Sequence, residues 1–440
     1  MAALEACATL PTMSNGPGAI TALAAAVRAN DAPLVARVLA ESPELAGHLD
    51  EPMPGEGFGA TPLLGAVHHG NRDMVESLLR AGADINARSH WWAGSFGVLD
   101  HDGPLVDYLI ARGANVNVHA ASRLGMLDRL EALISADPGL VTARGGDGQT
   151  PLHVASSAAV AQYLLEHGAD IDARCIDHES TPAQYMVRDR QPVASYLVER
   201  GAATDLLLLS ALGNLERVTS HLDANPDAIF IRVSDEFFPR KDSRSAGSIY
   251  NWTLGAGKGP HVAAREFGHE EVFRFLLERS PEELRFIVAC EVGDEPLARE
   301  VLASRPDIAR SLGPAGQRKL PDAARDENLE AVRLMLAAGW PVAARGQHGG
   351  TALHWACWHG STELTREVLR HDPPLEITDH DFGGTPLFWA VYGSVHGWRC
   401  RTGDYAETVA MMLAAGAKPP ELSDTLDATD AVRAVLQRRR

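Results

Sequence analysis

The sequence is poor in cysteine and lysine. The cysteines indicate the redox environment of the protein, and the shortage of lysine indicates the kind of genome that encodes it. Its cysteines are odd in number and scattered, with no Cys-x-x-Cys pair that would hold a metal or run thiol exchange. This pattern predicts a reducing, cytoplasmic environment. Lysine occurs four times while arginine and alanine are abundant, a bias typical of GC-rich bacterial genomes. The cysteines are Cys7, Cys175, Cys290, Cys357 and Cys400.

The sequence also lacks a basic start and long apolar runs. A secretory signal begins with basic residues, but no lysine or arginine precedes Arg28. No apolar run approaches the roughly 18 residues of a membrane span. Acidic side chains outnumber basic ones by 58 to 40, and the resulting formal charge of −18 would repel a phosphate backbone. We therefore expect neither a membrane nor a nucleic acid as a partner.

What is present suffices for a packed core. Hydrophobic residues make up 45% of the chain and charged residues 22%, unlike the composition of a disordered chain. Single cores stop growing at roughly 250–300 residues, and a stack of repeats escapes that limit. Internal repeats are therefore the feature that decides the fold.

One segment recurs at a spacing of roughly 30–34 residues, the range of helical repeats, and it opens with threonine. Threonine caps free backbone N–H groups, and proline suits the first helical position because its φ is already fixed there. Each copy therefore predicts the start of a helix. The copies are Thr61-Pro62-Leu63, Thr150-Pro151-Leu152, Thr181-Pro182-Ala183, Thr351-Ala352-Leu353 and Thr385-Pro386-Leu387.

A second segment carries a leucine and then Gly-Ala, often followed by asparagine or aspartate. Glycine takes the left-handed conformation that ends a helix, and Asn or Asp opens the next turn. Each copy therefore predicts a helix stop. The copies centre on Gly82-Ala83, Gly113-Ala114, Gly168-Ala169, Gly201-Ala202 and Gly416-Ala417.

Together the two segments resemble the ankyrin repeat consensus, Thr-Pro-Leu-His-x-Ala followed by Leu-Leu-x-x-Gly-Ala-Asp-Ile-Asn. The resemblance implies an all-α fold, an ankyrin-repeat α-solenoid of stacked helix-turn-helix units with connecting β-turn fingers. We expect about twelve units over residues 18–420, with insertions near 230–258 and 394–404. Residues 1–17 are then an N-terminal extension, and residues 421–440 a C-terminal capping helix and basic tail.

Solenoid helices mostly hold the stack, so function is expected in insertions and exposed residues. The first candidates are Trp91 and Trp92, in a unit whose helix start has lost Thr-Pro. Two adjacent aromatics cannot both face inward on a tight turn. Contact with a ligand and cover for the edge of the helix stack remain alternative interpretations.

The second candidate is the long link at residues 230–258. It mixes cations with aromatic side chains, a combination typical of contact surfaces, and loops of this length are seldom passive. A disordered insertion is the alternative. The candidate contact residues are Phe237, Phe238, Tyr250 and Trp252.

The third candidate is the C-terminal pair of units. Trp355 and Trp389 occupy the same position of successive repeats, which the ankyrin resemblance places on the exposed concave face. We therefore expect an aromatic ledge surrounded by polar groups. The full set is Trp355, Trp358, His359, Trp389, Tyr392, His396, Trp398, Asp404 and Tyr405.

The remaining histidines and motifs predict neither a metal site nor a catalytic site. The ankyrin resemblance assigns His153 and His354 a structural hydrogen bond to neighbouring turns. His354 and His359 are five residues apart and project from different sides of a helix, so no metal site is expected. No catalytic motif is recognised and no cofactor is expected.

Besides a structural adaptor with no dedicated site, two functions are compatible with these patterns. The first is a protein-binding scaffold or adaptor that presents a concave surface with aromatic clusters to a partner with a basic or neutral face. The second is a small-molecule-binding protein or enzyme with an aromatic, histidine and aspartate pocket in the C-terminal repeats. An enclosed cavity there would favour the second, and an open ledge the first.

Overall fold

The computed structural model describes residues 17–423 and 426–438. Residues 1–16, which include Cys7 and nearly all of the predicted N-terminal extension, lie outside the described residues, as do Arg439 and Arg440 of the basic tail. The described chain divides into two compact units between Val272 and Phe273. No residue of either described stretch is in a β-strand.

The first unit is built from short helices, mostly in antiparallel pairs. They are α1 (Pro17–Arg28), α2 (Ala32–Glu41), α3 (Pro62–His68), α4 (Arg72–Arg80), α5 (Val106–Ala111), α6 (Val118–Leu124), α7 (Leu127–Ala136), α8 (Ala158–Glu166), α9 (Pro182–Met186), α10 (Gln191–Glu199), α11 (Leu206–Ala211), α12 (Leu215–Ala224) and α13 (Pro260–Glu266), with the division falling inside α14 (Glu270–Arg279). A 3₁₀ turn, Pro151–Val154, takes the place of a first helix before α8.

The second unit continues with helices of similar length. They are α15 (Glu282–Glu291), α16 (Glu295–Ser304), α17 (Ile308–Ser311), α18 (Pro314–Gln317), α19 (Lys319–Arg325), α20 (Leu329–Ala337), α21 (Ala352–Trp358), α22 (Thr362–Leu369), α23 (Pro386–His396), α24 (Tyr405–Ala414) and α25 (Asp430–Arg438). Within the described residues, no helix combines the length and the apolar character that a membrane crossing needs.

Stacking within each unit follows a simple rule: first helices contact first helices and second helices contact second helices. In the second unit α21 packs between α19 and α23, while α22 packs between α20 and α24. Helices this short are marginal alone, so each gains its stability by burying one face against the next pair. The terminal helix α25 covers the last pair, where it buries Val432 and Leu436.

The predicted helix starts and stops are confirmed, except that Thr150 opens a 3₁₀ turn in place of an α-helix. The hydroxyls of Thr61, Thr181 and Thr385 accept hydrogen bonds from backbone N–H groups in the first turns of α3, α9 and α23. The glycines that end the second helices have φ near +100°, as at Gly82 (φ 104°) and Gly416 (φ 103°). These are the conformations that threonine caps and glycine stops favour.

The connecting turns have a defined geometry. At Gly146 to Gln149 the N–H of Gln149 donates to the carbonyl of Gly146 at 3.0 Å, and both central residues have positive φ, which defines a type I′ turn. A Cβ at Gly148 would lie 2.3 Å from Ile176 of the next turn, so only glycine fits. Among the described residues, three turns share the paired positive φ, at Phe58-Gly59, Asp147-Gly148 and His348-Gly349.

Two buried histidines, His153 and His354, each join their own turn to the following turn, as the sequence predicts. His153 accepts from the backbone N–H of Thr150 through Nδ1 (3.1 Å) and reaches the carbonyl of Ser180 through Nε2 (3.0 Å). His354 repeats this arrangement with Thr351 (3.0 Å) and Gly384 (3.2 Å). Because a carbonyl can only accept, Nε2 carries the proton and each ring is neutral.

The unit that has lost Thr-Pro also lacks its first helix. Residues 93–105 form turns held by Arg88, whose guanidinium donates to the Ser95 carbonyl (2.6 Å) and the Asp100 carboxylate (2.9 Å). Asp100 also accepts from the N–H of Gly97 at 2.7 Å. A partly buried ion pair therefore replaces the helical hydrogen bonds of the missing helix.

The link at residues 230–258 is a packed element that includes a π-helical turn, Asn251–Gly255. Tyr250 is fully buried, and its hydroxyl donates to Asp205 Oδ2 at 3.0 Å. Asp205 in turn caps α11 and accepts from Gln184. The expectation that Tyr250 lies on an exposed contact surface is therefore wrong, because its ring fills the core beneath the insertion.

The neutral histidines make the stability depend on pH. Burial lowers the pKa of His153 to about 3 and that of His354 to about 4, against 6.5 in an unfolded chain. Below about pH 6.5 the unfolded chain binds protons that the native chain does not, so the free energy of unfolding decreases as the pH is lowered. Between pH 7 and pH 5 we expect each of the two histidines to lower the free energy of unfolding by about 2 kcal/mol. Urea denaturation at the two pH values measures this change.

The replacement His354→Gln tests this directly, since Gln184 forms the same box with Thr181 natively. The variant should lose about 2 kcal/mol less than wild type between pH 7 and pH 5. His90→Gln, at an exposed histidine, should leave the pH dependence unchanged. Equal pH dependence in His354→Gln and wild type would show that the native His354 is not held neutral.

The hydroxyl of Tyr250 should contribute measurably to stability. Tyr250→Phe leaves the partly buried Asp205 carboxylate without one of its hydrogen-bond donors, and we expect the free energy of unfolding in urea to fall by about 1–3 kcal/mol. Tyr196→Phe is the matched control, since the Tyr196 hydroxyl is buried without a hydrogen-bond partner among the described residues. Equal effects of the two replacements would contradict the role of the Tyr250–Asp205 bond.

Candidate functional site

The predicted site residues form two groups, one in each compact unit. The first group comprises the turn at residues 90–96 and the insertion 230–258. The second comprises α21, α23, the turn at residues 397–404 and the start of α24. Both groups combine segments that are far apart in the sequence.

In the first unit, the tryptophan turn and the insertion come together. The guanidinium carbon of Arg244 lies 4.4 Å from the centre of the Trp92 ring, a cation–π contact. Farther along the insertion, the exposed ring of Trp252 lies 4.6 Å from that of His178. Two candidates that the sequence presents separately are therefore in contact.

Trp91 and Trp92 are both half-buried but pack differently. Trp91 packs edge-on against Phe58 at 4.8 Å. Burial raises the pKa of Asp147 to about 6. Trp91 thus covers the neighbouring turns, whereas ligand contact by Trp92 remains a prediction.

Phe237 and Phe238 are also half-buried. Phe238 packs edge-on against Tyr250 at 5.3 Å, while Arg232 lies over the Phe237 ring at 5.2 Å. A cleft of about 190 Å³ opens beside both phenylalanines, with His178 on its wall. This cleft links the insertion to the turn that carries His178.

In the second unit, the expected exposed ledge is corrected. Trp355 and Trp389 are only 2% and 7% exposed, and their rings meet edge-to-face at 5.2 Å. The indole N–H of Trp389 donates to Asp379 Oδ2 at 2.9 Å, which ties α23 to the preceding turn. The two rings fill the space between the neighbouring first helices α21 and α23, where their apolar surface is removed from water.

Tyr405 is buried as well. Its hydroxyl donates to the carbonyl of Trp358 at 2.7 Å, which joins α24 to the end of α21. Burial raises the pKa of Tyr405 well above its ordinary value. Tyr405 therefore contributes to the core of the second unit rather than to its surface.

The polar members of this group have structural partners. Nε2 of His359 donates to the carbonyl of Arg325 at 2.9 Å, and burial lowers the pKa of His359. Asp404 caps α24 by accepting from its first turn. The imidazole of His396 lies 3.3 Å from Asp427, so the histidine–aspartate pair formed here does not involve Asp404.

What remains accessible is a set of aromatic side chains that we name the aromatic patch: Phe388, Tyr392, Trp398 and the half-buried Trp358. Phe388, Tyr392 and Trp398 are 38–60% exposed. The Trp358 ring lies 6.4 Å from Tyr392 and 6.3 Å from Trp398, so it joins the two.

Sequence reasoning missed Phe388 as a site residue. It lies four residues before Tyr392 and stacks on it at 6.2 Å. That spacing places both rings on one face of a helix and was the available signal. Phe382, 69% exposed on the preceding turn, gave no comparable signal.

Comparison with known families identifies the repeats. The family described as "Ankyrin repeat" matches residues 58–90, and the one described as "Ankyrin repeats (3 copies)" matches residues 118–206 and 320–419. Together these segments cover just over half of the 440 residues.

Individual relatives match shorter stretches. A probable E3 ubiquitin-protein ligase of Oryza sativa subsp. japonica is 31% identical over 127 residues, which is 28% of this chain and 26% of that protein. Protein phosphatase 1 regulatory subunit 27 is 27% identical over 111 residues in Homo sapiens and 27% over 123 residues in Mus musculus. These matches cover 24% and 25% of this chain, and 72% and 80% of the two subunits.

The chain thus spans about a quarter of the length of the rice relative and about three quarters of the phosphatase subunits. The family matches agree with the threonine caps, glycine stops and type I′ turns of the structure. The chain belongs to the ankyrin repeat family.

Proposed function

We propose that this chain is a protein-binding adaptor and that the aromatic patch of its second unit is a principal contact surface. The observation that carries the proposal is the exposure of three large aromatic side chains around Trp358. Aromatic residues dominate the binding energy of protein interfaces because they bury much area at little cost in conformational entropy. Exposed apolar surface of this kind is unfavourable in water until a partner covers it.

The patch also covers unpaired donors. The indole N–H groups of Trp355 and Trp358 are buried without an acceptor among the described residues. Trp398 lies over both rings, 5.7 Å from Trp355 and 6.3 Å from Trp358. A partner that displaces Trp398 and offers backbone carbonyls would give these donors acceptors, which favours an extended peptide segment.

Charge indicates the chemistry of the partner. The chain carries a formal charge of −18, and the second unit, which holds the patch, has exposed carboxylates that include Asp404, Asp427 and Asp381. A partner segment with apolar residues beside lysine or arginine would meet both the rings and the carboxylates. We therefore propose a partner with a basic or neutral face.

The names of the relatives also support the proposal of a protein partner. Two are named as regulatory subunits of a protein phosphatase, and one as a probable ubiquitin-protein ligase. By analogy, we propose that this chain also acts through a protein partner.

A small-molecule or enzymatic pocket in the same region is the competing prediction. Its proposed walls, Trp355, Trp389 and Tyr405, are buried, and Asp404 caps a helix. These rings fill the core of the unit, while Phe388, Tyr392 and Trp398 stay exposed on its surface. The geometry therefore favours a protein partner over a small ligand.

The remaining sequence predictions become proposals. We propose about twelve repeat units over residues 18–420, flanked by an N-terminal extension and a C-terminal capping helix with its basic tail. Scattered cysteines support a cytoplasmic location, and composition supports a bacterial source, although the rice, human and mouse relatives are all eukaryotic.

The double replacement Phe388→Ser and Tyr392→Ser should weaken partner binding without unfolding the chain. Hot-spot aromatics cost about 2 kcal/mol or more each when truncated, so recovery of the partner by affinity purification from the native cell should fall at least about tenfold. Both side chains are exposed, and stability in urea should change by less than about 0.5 kcal/mol per site.

The matched control replaces Met126 and Ile176 of the first unit with serine, since these side chains are 38% and 41% exposed. This control should recover the same partners as wild type. Full recovery by the patch variant, or equal losses in both double variants, would contradict the proposed role of the patch.

Conservative replacements of two buried tryptophans test the unpaired donors. Trp389→Phe removes a hydrogen bond to Asp379, whereas Trp355→Phe removes an N–H that has no acceptor among the described residues. Trp389→Phe should therefore be more destabilising by about 1–3 kcal/mol in urea. Trp355→Phe should nevertheless reduce partner recovery. Equal destabilisation would show that the Trp355 N–H is already paired in the free chain.

A further inference from the structure

We propose that Asp147, Asp177 and His178 form a binding site for a divalent metal ion in the first unit. One carboxylate oxygen of each aspartate and one imidazole nitrogen lie within 4.8 Å of one another. The sequence predicts no metal site, and this inference departs from it. The three side chains belong to two successive turns about 30 residues apart, so no short sequence motif contains all of them.

The distances suit a small cation. Nε2 of His178 lies 3.9 Å from Asp147 Oδ2 and 3.7 Å from Asp177 Oδ2. Zinc binds imidazole nitrogen and carboxylate oxygen at about 2.0–2.2 Å, so two ligand atoms on one ion are separated by at most roughly 4.4 Å. Small side-chain rotations would bring all three atoms onto one ion.

The orientation of the imidazole points the same way. Nδ1 of His178 lies 2.9 Å from the carbonyl oxygen of Gly247, and since a carbonyl can only accept, Nδ1 carries a proton. In the neutral ring, Nε2 then directs its lone pair toward two carboxylates. A hydrogen bond from the second nitrogen to a backbone carbonyl is the usual support of a metal-bound histidine.

Burial leaves these groups with few other partners. The side chains of His178, Asp147 and Asp177 are only 10%, 14% and 3% exposed, and both carboxylates lie beyond hydrogen-bond distance of the imidazole Nε2. Asp147 Oδ1 is buried with no hydrogen-bond partner in the described residues. Two shielded carboxylates that face an imidazole lone pair favour a cation between them.

The site is held on a firm scaffold. Asp147 sits at the tip of a type I′ turn, and its carbonyl accepts from the N–H groups of Ile176 (2.9 Å) and Asp177 (3.0 Å). The insertion fixes the second turn, since the N–H of Ala246 and the hydroxyl of Ser245 both donate to the Asp177 carbonyl. Ligands fixed in this way lose little entropy when an ion binds.

The donor set indicates the kind of ion. Imidazole favours zinc and other late first-row metals, whereas calcium and magnesium prefer sites made of oxygen alone. The cleft beside Phe237 and Phe238 reaches His178 and offers a path from solvent. Three protein ligands leave at least one coordination position for water or for a donor group of a bound molecule.

The test uses the full chain, stripped with a chelator and titrated with zinc chloride by calorimetry, with bound metal counted by elemental analysis. We expect one ion per chain and a rise in the melting temperature. His178→Gln should weaken binding at least about 100-fold, and Asp147→Asn similarly, since asparagine tolerates the positive φ of that turn.

His348→Gln is the matched control. His348 occupies the equivalent turn tip of the second unit and pairs with Asp381 at 2.7 Å, and among the described residues no third metal ligand accompanies them. This variant should bind zinc like wild type. A folded wild type that binds no zinc, or undiminished zinc binding by His178→Gln and Asp147→Asn, would overturn the proposal.

Discussion

Each helix pair in this chain depends on the apolar face of the next pair. Helices of about ten residues are marginal alone in water, so they form only when a neighbour covers their apolar stripe. That requirement fixes which side chains are core, because first helices face first helices within a unit. It also leaves the turn tips and the outer edges of the first helices as the places where side chains vary without loss of the stack.

This dependence explains what the sequence could predict. Thr61 and Gly82 act within their own turns, so a local pattern is enough to place a helix start or stop there. His354 reaches one turn farther, but its position in the repeat is fixed and its bond to Gly384 recurs at His153. Features that recur from unit to unit could therefore be predicted from the sequence alone.

Exposure and long-range packing could not be predicted in the same way. Whether Trp355 is open or buried depends on the size of Trp389 and Trp398 on neighbouring segments, and those rings close over it. Likewise Tyr250 finds its partner, Asp205, on a helix far back in the sequence. A periodic pattern gives the direction of a side chain, whereas the volume of its neighbours decides its exposure.

Stacked turns also create chemistry that no linear motif contains. Each turn tip lies against the turn one repeat later, so Asp147 meets His178 in the first unit and His348 meets Asp381 in the second. At the turn tip His348 takes the place of Asp147. Asp381 is the equivalent of Asp177, since the residues three positions later, Ser180 and Gly384, bond to equivalent histidines. Within the described residues only the first pair has a third potential ligand, because His178 stands where the second unit has Phe382, and Asp177 beside it is buried beneath the insertion. An insertion that packs against a regular turn can therefore convert a common surface pair into a buried site while every core contact stays in place.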